Sequence, residues 1–169
     1  HTVSLALLDP RSPQTPTALG TAVLQPNGVA EFPGIQIQEP LDGYRFYAEL
    51  GQVVATSEPF EVLPGAATSY VITVLPERVI AGEPWSFQFE LRDEYGFLVT
   101  TNSHSTFQTD LRQGSLSFNY SVRAQRGIVT FNIPSYTKAE ELVFDVLRAG
   151  EVVVANLRVL VEPAAVHHL

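Results

Sequence analysis

The 169-residue chain has no cysteine and no methionine, and Lys138 is its one lysine. Without cysteine no disulfide can form and no thiolate can hold a metal, so each folded part must stand on its apolar core alone. Ten Lys and Arg against eighteen Asp and Glu leave a net charge of −8. With no basic run in the chain, neither nucleic acid nor an anionic bilayer is an expected partner. The longest apolar runs fall well short of the ~20 residues a spanning helix needs, so direct membrane insertion is not expected either. Helical periodicity is scarce too: Lys138-Ala139-Glu140-Glu141 is the one short stretch of that character, and it reads as a turn at most.

What the chain has in quantity is alternation. Trp85-Ser86-Phe87-Gln88-Phe89-Glu90-Leu91 places an apolar residue at every second position, as do Leu116–Val122 and Tyr44–Ala48. A period of two is the pattern of a strand with one face in a core and one in water. The same reasoning predicts strands over 3–8, 29–32, 35–38, 53–62, 70–75, 97–100, 105–110, 128–133, 142–148 and 152–161. Between them stand turn sequences such as Pro26-Asn27-Gly28, Leu41-Asp42-Gly43, Asp93-Glu94-Tyr95-Gly96 and Arg126-Gly127, each with a glycine where a turn can require positive φ. At 45% hydrophobic and 17% charged residues, the composition supports packed cores rather than disorder.

The pattern occurs twice. Gly28-Val29-Ala30-Glu31-Phe32 matches Gly127-Ile128-Val129-Thr130-Phe131, and at the same offset of 99 residues Gly51 matches Gly150, Phe60 and Val62 match Val159 and Val161, and Pro64 matches Pro163. A period of this length is one whole domain per repeat rather than a solenoid turn. The expected organisation is an all-β chain of tandem sandwiches: 1–63 a sandwich incomplete at its N-terminus, 64–67 a linker, 68–162 a complete sandwich, and 163–169 a linker into a third repeat. Residues 1–63 contain no counterpart of Ala66–Glu94. The strands that complete the first copy are therefore expected either in a preceding part of the same polypeptide or from another subunit. The linker is about five residues long and contains proline, which predicts successive domains in an extended, semi-rigid rod.

Val79-Ile80-Ala81-Gly82-Glu83-Pro84-Trp85-Ser86-Phe87, followed by Asp93-Glu94-Tyr95-Gly96, resembles the opening of the immunoglobulin-like repeats found in filamins and in bacterial surface proteins. Ala55–Val62, with its Thr56-Ser57 and Pro59-Phe60-Glu61-Val62, is similar to the close of the same repeat. Departures are Phe97, where the family prefers asparagine, and Val152–Asn156 in place of the second Ala-Thr-Ser segment. The resemblance implies immunoglobulin-like β-sandwiches and a non-enzymatic structural or adhesive role in a large extracellular or cell-surface protein. The partners it implies are neighbouring repeats of the same chain, further copies through self-association, or other surface and matrix proteins. Two alternatives stay open: a carbohydrate- or protein-binding module, and an intracellular filamin-like cytoskeletal or ciliary scaffold.

Candidate chemistry is sparse. No catalytic residue, cofactor site or metal site is assigned. His1, His104, His167 and His168 show no metal-ligand spacing, and no serine stands in a nucleophile-elbow pattern. Asp93-Glu94 with Glu61 or Glu162 could offer clustered oxygens to calcium, but a turn in which Asp93 bonds its own backbone explains the same residues. Asn119-Tyr120-Ser121 is an N-glycosylation sequon; alternation within 116–122 turns Asn119 away from the apolar face, so Asn119 is the tentative modification site. Tyr47, opposite Tyr44 and Phe46 in its strand, is the candidate for an aromatic contact surface.

Overall fold

A computed structural model describes residues 1–116 and 120–165, and among them every regular element is a strand. The chain divides into two compact units, His1–Pro64 and a second beginning at Gly65.

The second unit is an immunoglobulin-like sandwich. One sheet has the order β10(Ser121–Arg123), β9(Thr106–Gln113), β12(Glu141–Arg148), β13(Glu151–Glu162), β7(Arg78–Ile80); the other has the order β11(Ile128–Ile133), β8(Trp85–Arg92), β6(Ser69–Val74). The alternation in β8 buries Phe87, Phe89 and Leu91. Against them the facing sheet brings Phe107, Phe144, Val146 and Val159. Phe87 stacks on Phe131 at 4.7 Å between centroids and lies 5.0 Å from Phe144, while Phe89 meets Phe107 edge-on at 5.1 Å. Phe118, on the apolar side of the 116–122 alternation, lies outside the described residues, and Phe107 takes a central place in the core.

The first unit is a single five-stranded sheet. Its order is β2(Thr17–Val23), β1(Thr2–Leu8), β3(Leu41–Leu50), β4(Val53–Thr56), with β5(Phe60–Val62) pairing β3 further along. This path repeats that of β10, β9, β12 and β13: β4 and β5 together correspond to β13, and Tyr44 faces Phe60 as Leu142 faces Val159. A bulge at Gly43 shifts the register by one residue, which puts Tyr44 and Phe46 on the side corresponding to Leu142 and Phe144. Counterparts of β6, β7 and β8 are absent from the described residues of this unit, so its sheet has no second layer of strands.

Several sequence-predicted strands are corrected by this pairing. Residues 29–32 and 35–38 form no strand, because the counterpart of β8, on which 128–133 zips up, is not present beside them. Residues 97–100 fold back instead of extending: Asp93 N–H donates to Phe97 O and Val99 N–H to Leu91 O, leaving one isolated bridge from Arg92 to Leu98. The predicted 53–62 strand is broken where Ser57 Oγ accepts the Phe46 N–H and Ser57 N–H donates to Phe46 O. In 116–122 only Ser121 and Val122 belong to a described strand. Thr17–Val23 and Arg78–Ile80 were not anticipated. Both are edge strands, the latter held by parallel pairing to Leu160–Glu162, and edge strands carry weaker local patterns than central ones.

Candidate functional site

The two units differ most in how well their apolar faces are covered. In the first, Leu5 stands opposite Ala48 and Leu7 opposite Phe46, and Phe46 stacks on Phe60 at 4.7 Å. Residues opposite one another across an antiparallel pair share a face, so Leu5, Leu7, Tyr44, Phe46, Ala48 and Phe60 form one apolar surface. Tyr44, 2% exposed, is the only one of them that is buried; every other buried hydrophobic side chain described belongs to the second unit. Val53, at the outer strand, is 69% exposed. Tyr44 also donates its hydroxyl proton to Glu39 O at 3.0 Å, and the Arg11 guanidinium bridges Asp9 and Glu39, fixing the C-terminal end of the 24–40 stretch.

Within that stretch the backbone is left open. Gln25 N–H donates to Val29 O, closing a turn around Gly28. From residue 30 to residue 38 no residue belongs to a strand, and the chain turns at Pro33-Gly34, where Gly34 has φ 75°. In the second unit the counterparts of 29–34 form β11, an edge strand paired along one side with β8.

A second concentration of polar groups lies at the start of the second unit, where Asp93 is 3% exposed. Its Oδ1 accepts the N–H groups of Tyr95 (3.0 Å) and Phe97 (2.9 Å), and its Oδ2 accepts that of Gly65 at 3.2 Å. Burial by itself would raise the pKa of this carboxyl. The N–H groups of Phe97, Gly65, Tyr95 and Gly96 outweigh it and hold the group below the usual aspartate value. Thr68 N–H donates to Arg92 O at 2.8 Å. The carboxylate oxygens of Asp93 are thus turned onto backbone donors, as in the turn reading. Glu162 is paired with Arg78 at 2.8 Å, and the described residues contain no group of three or more acidic or histidine side chains that could hold a metal. Asp145, also buried, accepts Asn156 N–H at 2.9 Å and Arg112 Nε at 2.7 Å; the first of these bonds is the main cause of its lowered pKa.

The remaining sequence-predicted residues are scattered. Asn119, His167 and His168 lie outside the described residues. His104 is exposed, with its backbone N–H on Asn102 Oδ1 at 3.3 Å. Tyr47 is half-buried and donates its hydroxyl to Glu49 Oε1 at 2.8 Å, beside an open hollow of about 390 Å³ lined in part by Ser4, Ala6, Gly20 and Thr21. The role of Asp93 in fastening Gly65 was missed in the sequence, since a pair 28 residues apart leaves no local signal.

No protein-family model matches the chain, and no curated protein matches it. Solved structures show partial likenesses to it. Domains 4 and 5 of the surface-layer protein SbsC are 14% identical over 96% of this chain and 70% of theirs, with a TM-score of 0.38. The Escherichia coli adhesin FdeC is 16% identical over 73% of this chain and 42% of its own, with a TM-score of 0.41. A glycosyl hydrolase family 2 member from Bacteroides cellulosilyticus is 11% identical over 92% of this chain, with a TM-score of 0.46, and the chain spans 22% of its length. All three TM-scores lie below 0.5, and the matched chains include an enzyme as well as surface proteins.

Proposed function

We propose that the chain is a non-enzymatic structural or adhesive repeat segment of a large extracellular or cell-surface protein, working as a semi-rigid spacer. The observation that carries this reading is the tether between the units. β5 ends at Val62, and the Gly65 N–H is already held by Asp93, which leaves Leu63 and Pro64 as the residues between two anchored points. Two residues, one with φ fixed by its ring, permit little independent tumbling. Under this reading, repetition at a fixed spacing serves reach.

Small-angle scattering on a protein of two complete repeats tests the spacer role. An elongated particle is expected, and a compact, side-by-side particle would overturn it. Mass spectrometry of the protein from its native source tests the location: a glycan on Asn119 is expected outside the cell, whereas an unmodified Asn119 together with cytoplasmic localisation would favour a filamin-like scaffold.

The hollow beside Tyr47 and Glu49 favours a second reading, a carbohydrate-binding module. An aromatic ring next to a carboxylate and hydroxyls can stack on a sugar face and bond its hydroxyls. Calorimetric titration against a glycan panel discriminates, with no heat expected from a pure spacer.

A further inference from the structure

We infer that the open backbone of residues 30–32 is an acceptor edge for β-strand addition, and that its occupant is a strand with the chemistry of Trp85–Arg92, laid antiparallel over the apolar face of the first unit. The second unit supplies the register. Leu91 N–H donates to Gly127 O at 2.8 Å. This makes 91 and 127 a hydrogen-bonded pair, and by the two-residue alternation of an antiparallel ladder also 89 with 129, 87 with 131 and 85 with 133. At the offset of 99, the residues of the first unit that would exchange hydrogen bonds are Ala30 and Phe32; Gly34, the counterpart of Ile133, has φ 75° in a turn and ends the edge.

Pro33 follows Phe32, at the position of Asn132. There the backbone nitrogen points away from the added strand, so the proton that proline lacks is not needed. The turn leading into the segment is conserved in conformation: Gly28 and Gly127 have φ of 81° and 80°. Their surroundings differ in the way the inference requires. A Cβ on Gly127 would meet Val99 O at 2.6 Å, whereas one on Gly28 would meet nothing within 4 Å. Ala30 and Phe32 are half-buried while their counterparts Val129 and Phe131 are fully buried, so the added strand has both a backbone ladder to complete and apolar surface to cover. An occupant with alternating aromatics would set its apolar side chains against Phe32, Phe46 and Leu5 and its polar ones toward solvent. The chain's own Trp85–Arg92 is already paired on both sides, with β6 and β11, so it is not the donor.

The test joins a second copy of residues 67–104 to the front of the full chain, so that the added β8 sequence reaches the first unit through a connection like the native one between β8 and β9. Hydrogen exchange read by NMR should show the Ala30 and Phe32 amides slowed by at least about a hundredfold relative to the unextended chain. Ala30→Pro, which removes one of the pairing N–H groups, should abolish that protection in the extended protein and leave the melting temperature of the unextended chain unchanged. Should the fusion aggregate, a synthetic peptide of residues 67–94 added to the full chain serves as the donor, with the same readout and the same variant. Free exchange at 30 and 32 in the presence of either donor, or protection that survives Ala30→Pro, would overturn the inference.

Discussion

Truncating Phe89 to alanine should remove a large part of the second unit's stability. The side chain is 0% exposed and sits edge-on to Phe107 at 5.1 Å, with Tyr70 and Phe131 at 6.2 and 6.4 Å. Fully buried phenylalanines surrounded by aromatics cost about 3–5 kcal/mol on truncation, because the lost transfer energy is joined by a cavity that rigid neighbours cannot collapse. A domain of this size has roughly 5–15 kcal/mol in all. The melting temperature should therefore fall by about 12 °C or more. Trp85 is the only tryptophan and belongs to the same strand, so its fluorescence in urea reports this unit and not the first. Gln88, one residue away on the opposite face, is the internal control. It is less free than alternation implies, since its Nε2 donates to Thr73 Oγ1 and its Oε1 accepts from Thr130 Oγ1, each at 3.1 Å. Partly exposed bonds of this kind are worth about 0.5–1 kcal/mol, so Gln88→Ala should remain far milder. Midpoints for the two variants within about 1 kcal/mol of each other would refute the assignment of the faces.

Gly127→Ala and Gly28→Ala should separate strain from collision. Both positions have φ near 80° and incur about 1–2 kcal/mol of left-handed strain, but only at Gly127 does the new methyl strike a backbone oxygen. Its cost should exceed roughly 3 kcal/mol, read from Trp85 fluorescence, against about 1 kcal/mol for Gly28→Ala read from far-ultraviolet circular dichroism. Acid should weaken the second unit through Asp93: its folded pKa is depressed, so its contribution is fully present above the unfolded value near 4 and is lost as pH falls through the lower folded value. Asp93→Asn keeps the shape but loses an acceptor, and should flatten the acid limb of stability against pH; an unchanged acid limb would show that the bonds to Gly65, Tyr95 and Phe97 carry no weight.

Much of the architecture was legible without coordinates, because it rests on local regularities. Alternation is a property of a single strand, and it marked Trp85–Leu91 and Tyr44–Ala48 correctly; turn chemistry marked Gly28, Gly96 and Gly127, all at positive φ, whereas Leu41-Asp42-Gly43, read as a turn, opens β3 with its glycine as a bulge. The repeat at 99 residues pointed to a second copy of the pattern, and the all-β class followed from the alternation. What tertiary structure decided is pairing, which no segment possesses alone. Residues 29–32 and 128–133 read equally well as strands, yet only the second has a neighbour whose N–H and C=O groups complete its ladder. Arg78–Ile80 became a strand for the opposite reason, since Leu160–Glu162 offered it an edge. Phe107 joined the core and Asp93 took hold of Gly65 through contacts between residues far apart in the chain. The alternation written in the sequence states which face of a strand should be covered; whether a partner is there to cover it is settled only in three dimensions.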